Sequence, residues 1–266
     1  MSVLGDVLAK TKADGRAALI GYLPTGYPSV DVSIDAMRAM VEGGCDIIEV
    51  GVPYSDPVMD GPTIQAAAEP AVEAGVGLRD VLRAVEAVAA AGAAPVVMSY
   101  WNPVERYGVE RFAADLAAAG GAGAITPDLI PDEAQDWIAA TDAHGLDRVF
   151  LVAPSSTDER IMSTAAASRG FVYAASTMGV TGVRTSLGSA AETLVARVRA
   201  LAPDANVCVG LGVSTGDQAA DVACFADGVI VGSAFVRRLL DDPDATGVAN
   251  TRSLAAEFAE GIRRAR

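Results

Sequence analysis

Short apolar runs alternate with segments in which apolar residues recur every three or four positions, and this alternation continues along nearly the whole chain. Runs of the first kind stand at Ala17–Leu23, Asp46–Val50, Ala94–Met98, Gly123–Ile125, Arg148–Val152, Gly170–Ala174, Asn206–Gly210 and Gly228–Val231. They are continuous rather than alternating, which predicts parallel strands covered on both faces. Between them lie amphipathic segments. Val30, Ile34, Met37 and Val41 mark one helix, and Leu194, Val198 and Leu201 mark a late one. Eight strands and roughly eight helices in 266 residues fit one α/β domain over residues 1–266, a (β/α)8 TIM barrel. Helical segments near Gly5–Asp14 and Thr251–Arg264 predict additional N- and C-terminal helices. A doubly wound open sheet would use the same units, and periodicity alone does not separate the two. Eight units without a switch in pattern favour closure.

Composition narrows the function. Hydrophobic residues make up 51% and charged residues 20%, ample for a large core. The apolar stretch from Val81 to Val97 contains Arg83 and Glu86 and ends at Gly92 and Pro95. That pattern suits a packed helix rather than a membrane span. The opening MSVLGDVLAKTKADGR lacks the apolar core of a signal peptide, so a cytoplasmic protein is expected. Cys45, Cys208 and Cys224 lie far apart without metal-ligand spacing, which predicts reduced, mostly buried thiols and no metal site. His144 is the only histidine, in DAHGLD at an expected helix end, so a multi-histidine metal centre is excluded. A net charge of −14 argues against nucleic acid and anionic membranes as partners. An anionic ligand would have to be held by backbone amides.

In a barrel, chemistry gathers at the C-terminal ends of the strands. Glu49 stands at the end of the second apolar run, where barrels favour branched apolar residues. Partial desolvation there would raise its pKa toward the range of a neutral-pH proton shuttle. Asp60 follows eleven positions later, beyond a loop stiffened by Pro53 and Pro57. Alone, Asp60-Gly61-Pro62 is equally a turn that starts a helix. Together the two acids could frame a small substrate. Late in the chain, Gly210-Leu211-Gly212-Val213-Ser214 and Gly232-Ser233-Ala234 place small residues at adjacent strand ends, a pattern that cradles phosphate. Gly179-Val180-Thr181-Gly182-Val183-Arg184 after the sixth strand reads as a lid or a surface excursion. Tyr22, Tyr100, Trp101 and Tyr173 fall at strand ends, where they either pack the core or line a pocket for a flat ligand.

DIIEVGVPYSDPVMDGPTIQ, preceded by GYLPTGYPS and followed by GVTG, GLGVS and VGSA, closely resembles the α subunit of tryptophan synthase from about Arg16 to Leu240. The resemblance implies a lyase of tryptophan biosynthesis that cleaves indole-3-glycerol phosphate to indole and glyceraldehyde 3-phosphate. It assigns Glu49 to proton transfer at the indole carbon and glycerol hydroxyl, and Asp60 to the indole N–H. Tyr22, Tyr100, Tyr173 and Thr181 match substrate-binding positions. Gly182, Gly212, Gly232 and Ser233 match phosphate-binding positions. Pro53, Asp56 and Pro57 would face a β subunit in an α2β2 complex, and pyridoxal phosphate is expected only in that partner, not in this chain.

Several positions depart from the family's more familiar pattern: Tyr27, Met59, Thr126-Pro127-Asp128, and Thr177 and Met178 ahead of the GVTG lid. None replaces either acid. A histidine-pathway isomerase would need aspartates after the first and fifth strands, where this chain has Leu23-Pro24-Thr25 and Val152-Ala153-Pro154. A stand-alone indole-releasing lyase shares every catalytic residue. A non-catalytic barrel that only activates the β subunit would not need both acids.

Overall fold

Ala18–Pro24 (β1) is buried at every position, as a strand covered on both faces must be. The computed structural model describes residues 2–175, 184–210 and 212–265, with side chains in the second span from residue 189 onward. Ile47–Gly51 (β2), Ala94–Met98 (β3), Gly123–Ile125 (β4), Asp147–Val149 (β5), Leu151–Val152 (β6), Val172–Ala175 (β7), Val207–Gly210 (β8) and Gly228–Val231 (β9) complete the sheet. All neighbours pair in parallel, in the order β5-β4-β3-β2-β1-β9-β8-β7-β6.

The two outermost strands of that order, β5 and β6, are consecutive in the chain and separated only by Phe150. They are two halves of the strand expected at Arg148–Val152. The Val149 carbonyl accepts from Thr126 N–H at 3.3 Å on the β4 side, and the Phe150 carbonyl accepts from Tyr173 N–H at 3.1 Å on the β7 side. One strand therefore bonds to both edges, and the sheet closes into a barrel. Strands in a barrel tilt, so the first half of this one lies beside β4 and the second beside β7. The open-sheet alternative is excluded.

Twelve α-helices occur among the described residues, more than the eight or so expected. Beyond the N- and C-terminal additions already expected, the excess comes from two helix pairs. Pro62–Glu73 (α3) and Leu78–Ala90 (α4) both follow β2, and Trp101–Tyr107 (α5) and Val109–Ala118 (α6) both follow β3. Gly75 and Gly108, with φ +76° and +98°, separate the two members of each pair. Val3–Ala13 (α1) precedes the barrel, and Val30–Gly43 (α2) joins β1 to β2. Gln135–His144 (α7) precedes β5, Asp158–Ala167 (α8) precedes β7, and Arg184–Leu201 (α9) and Gly216–Ala223 (α10) flank β8. Ser233–Asp241 (α11) and Ala245–Arg264 (α12) close the chain. α12 starts six residues before the expected Thr251, because the Asp244 carboxylate caps it, accepting from Thr246 N–H at 2.7 Å. Its first turns are small or polar and carry no apolar period to read.

Period two along each strand separates two cores. Ala18, Ile20, Ile47, Val96, Ile125, Val149, Cys208 and Ile230 fill the barrel interior, with Leu4 and Leu8 of α1 packed beneath them. The Asp147 carboxylate holds α1 in place, accepting from Leu4 N–H at 2.8 Å. Outward-facing residues such as Val50 and Val97 pack with Phe112, Trp137, Phe235 and Phe258 in the layer between strands and helices. α1 thus closes the N-terminal end and leaves the C-terminal end for a site. His144 ends α7, the helix end expected for it, and is paired with Glu110 at 2.8 Å. Cys45 and Cys208 are buried free thiols, whereas Cys224 is exposed. Among the described residues, no helix is long and apolar enough to cross a membrane.

Candidate active site

The inward face of β2 carries Ile47 and then Glu49, with Tyr22 of β1 and Val96 of β3 in register on either side. Glu49 is central in β2 rather than next to its end, because the ladder runs on through Gly51. It is 1% exposed, and its Oε1 has no hydrogen-bond partner among the described residues. A carboxylate so enclosed cannot recover its lost hydration, so burial pushes its pKa up to about 8. At neutral pH it is a carboxylic acid with a proton to give.

Asp60 arrives on the loop between β2 and α3. Gly61 caps α3 and Pro62 opens it, which fixes where the loop must end. Gln65 Nε2 donates to the Asp60 carbonyl at 2.7 Å. The Tyr100 hydroxyl accepts from Met59 N–H at 2.9 Å and donates to Asp60 Oδ1 at 3.4 Å. Burial raises the Asp60 pKa, and the Tyr100 donor partly offsets this. The Tyr100 phenol is itself pushed up to about 12, first by burial and then by the charge of Asp60.

Tyr22 stands in register beside Glu49. Burial raises its phenol well above the usual range, and Asp60, Glu49, Tyr100 and Tyr173 add to the shift in that order. Tyr22 therefore lies within electrostatic reach of both acids and of the other two tyrosines. Tyr22 rests on two glycines: a Cβ at Gly51 would sit 2.7 Å from its ring and hydroxyl, and one at Gly232 would sit 3.3 Å from its ring. Tyr173 is on the inward face of β7, half-buried, with its hydroxyl where a Gly210 Cβ would collide with it. Burial also raises its phenol, with the Glu49 charge next.

The glycine turns behave differently from each other. Gly232 and Ser233 lead straight from β9 into α11, whose cap makes no side-chain hydrogen bond; Phe235 N–H turns back onto the Gly232 carbonyl at 2.9 Å, so the Ser233 and Ala234 amides are the first-turn donors a ligand could take. After β8 the loop is longer, and Gly212 takes φ +70°. Ser214 N–H, one of the donors expected there, is already bound to Gln218 Oε1 at 2.8 Å. Thr181 and Gly182, with the Thr177 and Met178 departures, lie outside the described residues.

Pro53 is buried and Pro57 half-buried, while Asp56 is exposed and accepts from the Ser55 hydroxyl at 2.6 Å. Met59 contributes its backbone amide and leaves its side chain 37% exposed, so that position tolerates a large residue. The Asp128 carboxylate caps α5, accepting from Trp101 N–H at 2.9 Å. Sequence reading missed Gln65, whose only signal was its place in the first turn after Asp60. It also missed Tyr54, whose ring lies 5.1 Å from that of Tyr100, and Asn102, which donates to the Tyr54 hydroxyl at 3.1 Å.

Comparison with known proteins follows the same lines. A family model described as tryptophan synthase alpha chain matches residues 8–263. The tryptophan synthase alpha chain of Thermobifida fusca (strain YX) is 62% identical, covering 100% of this chain and 99% of the relative. That of Mycobacterium marinum is 63% identical over 98% of this chain and 95% of the relative. A solved structure of Mycobacterium tuberculosis tryptophan synthase superposes with a TM-score of 0.93 at 62% identity, over 98% of each chain. Tryptophan synthase subunit alpha from Legionella pneumophila keeps a TM-score of 0.90 at 29% identity, over 99% of each chain.

Proposed function

This chain belongs to the tryptophan synthase alpha chain family, and on that premise we propose that it cleaves indole-3-glycerol phosphate through Glu49 and Asp60. The observation that carries the assignment of roles is a buried, neutral Glu49 whose Oε1 has no partner among the described residues, in register with a Tyr22 that also lies within electrostatic reach of Asp60. Glu49 delivers its proton to the indole carbon that bears the glycerol chain, leaving positive charge on the ring nitrogen. Asp60 accepts from that N–H and stabilises the cation. Glu49, now a carboxylate, takes the proton of the adjacent glycerol hydroxyl. The C–C bond breaks, its electron pair restores the indole ring, and the oxygen becomes the aldehyde of glyceraldehyde 3-phosphate. Glu49 ends protonated, as it began.

Tyr22, Tyr100 and Tyr173 bound the aromatic half of the substrate in this reading. Gly212, Gly232 and Ser233, with Gly182, serve the phosphate at the α11 end. Residues 1–266 act as one barrel domain. The chain has two lysines, Lys10 and Lys12, both on α1 at the closed end. No lysine amine therefore stands at the mouth for pyridoxal phosphate to attach to, and that cofactor is assigned to the β partner. Asp56 and Pro57, beside the 78% exposed Val58, form the surface proposed to meet that partner in an α2β2 complex, and the buried Pro53 shapes the loop from within. The protein works in the cytoplasm in this reading.

Indole release from indole-3-glycerol phosphate by the purified chain, with and without a β subunit, tests the proposal. Release that rises on adding the partner is the expected result, and no release in its presence rejects it. Steady-state rates across pH should fall as pH rises through about 8, because the first step needs Glu49 protonated. They should fall again at acid pH as Asp60, whose pKa is raised, loses its charge. A profile flat through pH 8 would remove Glu49 as the acid. Gly210→Ala should displace the Tyr173 hydroxyl, and a loss of ~10-fold or more in kcat/KM is expected for a misplaced wall of the site; full activity would place Tyr173 outside it.

A further inference from the structure

We propose that Tyr54 is a positioning residue for Asp60, acting through the Tyr100 ring; the proposal rests on the cleavage reading above. Asp60 ends a loop in which Ser55, Asp56, Val58 and Met59 are exposed, so the loop's own packing does little to aim its carboxylate. Three described contacts hold the loop's far end. Gln65 binds the Asp60 carbonyl at 2.7 Å, which fixes backbone but leaves the carboxylate free to turn. The other two belong to one atom, the Tyr100 hydroxyl, at 2.9 Å from Met59 N and 3.4 Å from Asp60 Oδ1. The last distance is long for an O–H···O bond, so a few tenths of an ångström in the ring decide whether it forms.

What sets the ring is Tyr54. Its ring stacks on Tyr100 at 5.1 Å and 33°, and it is the only ring partner of Tyr100 among the described residues. Its hydroxyl accepts from Asn102 Nδ2 at 3.1 Å, and Asn102 sits on α5, whose first amide is held by Asp128. The start of the loop therefore grips the end of β3 and the first turn of α5. The Tyr100 hydroxyl in turn grips the end of the loop. Both ends of the loop are pinned through one phenol ring, and its tilt is passed to the Asp60 carboxylate. A stack that merely packed the loop would act independently of the Tyr100 hydroxyl.

The full chain in complex with a β subunit, carrying Tyr54→Ala, Tyr54→Phe, Tyr100→Phe and their combinations, separates these roles. Tyr54→Ala should lower kcat ~10-fold with KM within about twofold. Tyr54→Phe keeps the ring, loses the Asn102 bond, and should cost about two- to threefold. In the Tyr100→Phe background both losses should shrink below about twofold, because the route to Asp60 is gone. Amide hydrogen exchange at Met59 reads the same grip without substrate and should accelerate ~10-fold in Tyr54→Ala. Where Tyr54→Ala does not fold, Tyr54→Phe carries both measurements. Unchanged Met59 exchange, an unchanged kcat, a loss confined to KM, or equal losses in both backgrounds would overturn the proposal. Absence of indole from the wild-type complex would instead reject the cleavage reading, while the exchange result would still decide the positioning.

Discussion

Glu49→Gln should abolish indole release, lowering kcat by ~10³-fold or more, while substrate still binds. The amide keeps the shape of the acid and fits the same enclosed space, but it has no acidic proton to give and cannot take one from the glycerol hydroxyl. Binding measured by calorimetry or substrate protection should change little. A turnover close to wild type would end the assignment of Glu49 as the proton shuttle.

The same substitution has a second expected signature, in stability. The folded-state pKa of Glu49, about 8, lies above the ordinary value of 4.5. The folded protein thus favours the neutral acid. Its stabilising contribution is complete below the unfolded-state pKa and is lost progressively as pH rises from there through about 8. At ~1.4 kcal/mol per tenfold change in proton affinity, the loss amounts to a few kcal/mol. Glu49→Gln does not ionise, so urea unfolding at alkaline pH should find the variant more stable than wild type, with the gap closing near pH 4. Parallel stability curves for the two proteins would mean that Glu49 is not buried as a neutral acid in solution.

Asp60→Asn should cost ~100-fold in kcat. Asparagine can still approach the indole N–H, but it brings no charge to a nitrogen that becomes cationic as the ring carbon is protonated. That charge exists only on the way to cleavage, so kcat should suffer more than KM. A penalty expressed mainly in KM would make Asp60 a substrate holder, and little change in either would return it to the loop as a turn residue. Tyr54→Ala should cost less than Asp60→Asn, since it disturbs only the aim of a carboxylate that remains.

Much of the barrel was legible from local pattern. The strands near Asp46–Val50 and Ala94–Met98 read correctly because short continuous apolar runs bounded by turn residues have few other uses. Glu49 stood out for the same reason, as a carboxylate where a barrel interior excludes one. The helix pairs were less legible: a glycine such as Gly108 interrupts two helices without altering the apolar spacing around it. Gly212 and Ser214 were read as one phosphate-binding turn, but Gln218, four residues on, had claimed the Ser214 amide.

By itself the sequence determined the repeating strand–helix unit, the burial of one acid and the delivery of another by a proline-stiffened loop, because each depends on residues within about a dozen positions of one another. Closure through Phe150, the capping of α5 by Asp128, and the Tyr54–Tyr100–Asp60 chain were decided only by tertiary structure. They join residues 23 to 46 positions apart, brought together by the barrel's register. Periodicity reports which face of an element is apolar. It carries no record of which distant polar atom will lie opposite, and in this mouth that neighbour decides how the Asp60 carboxylate is held.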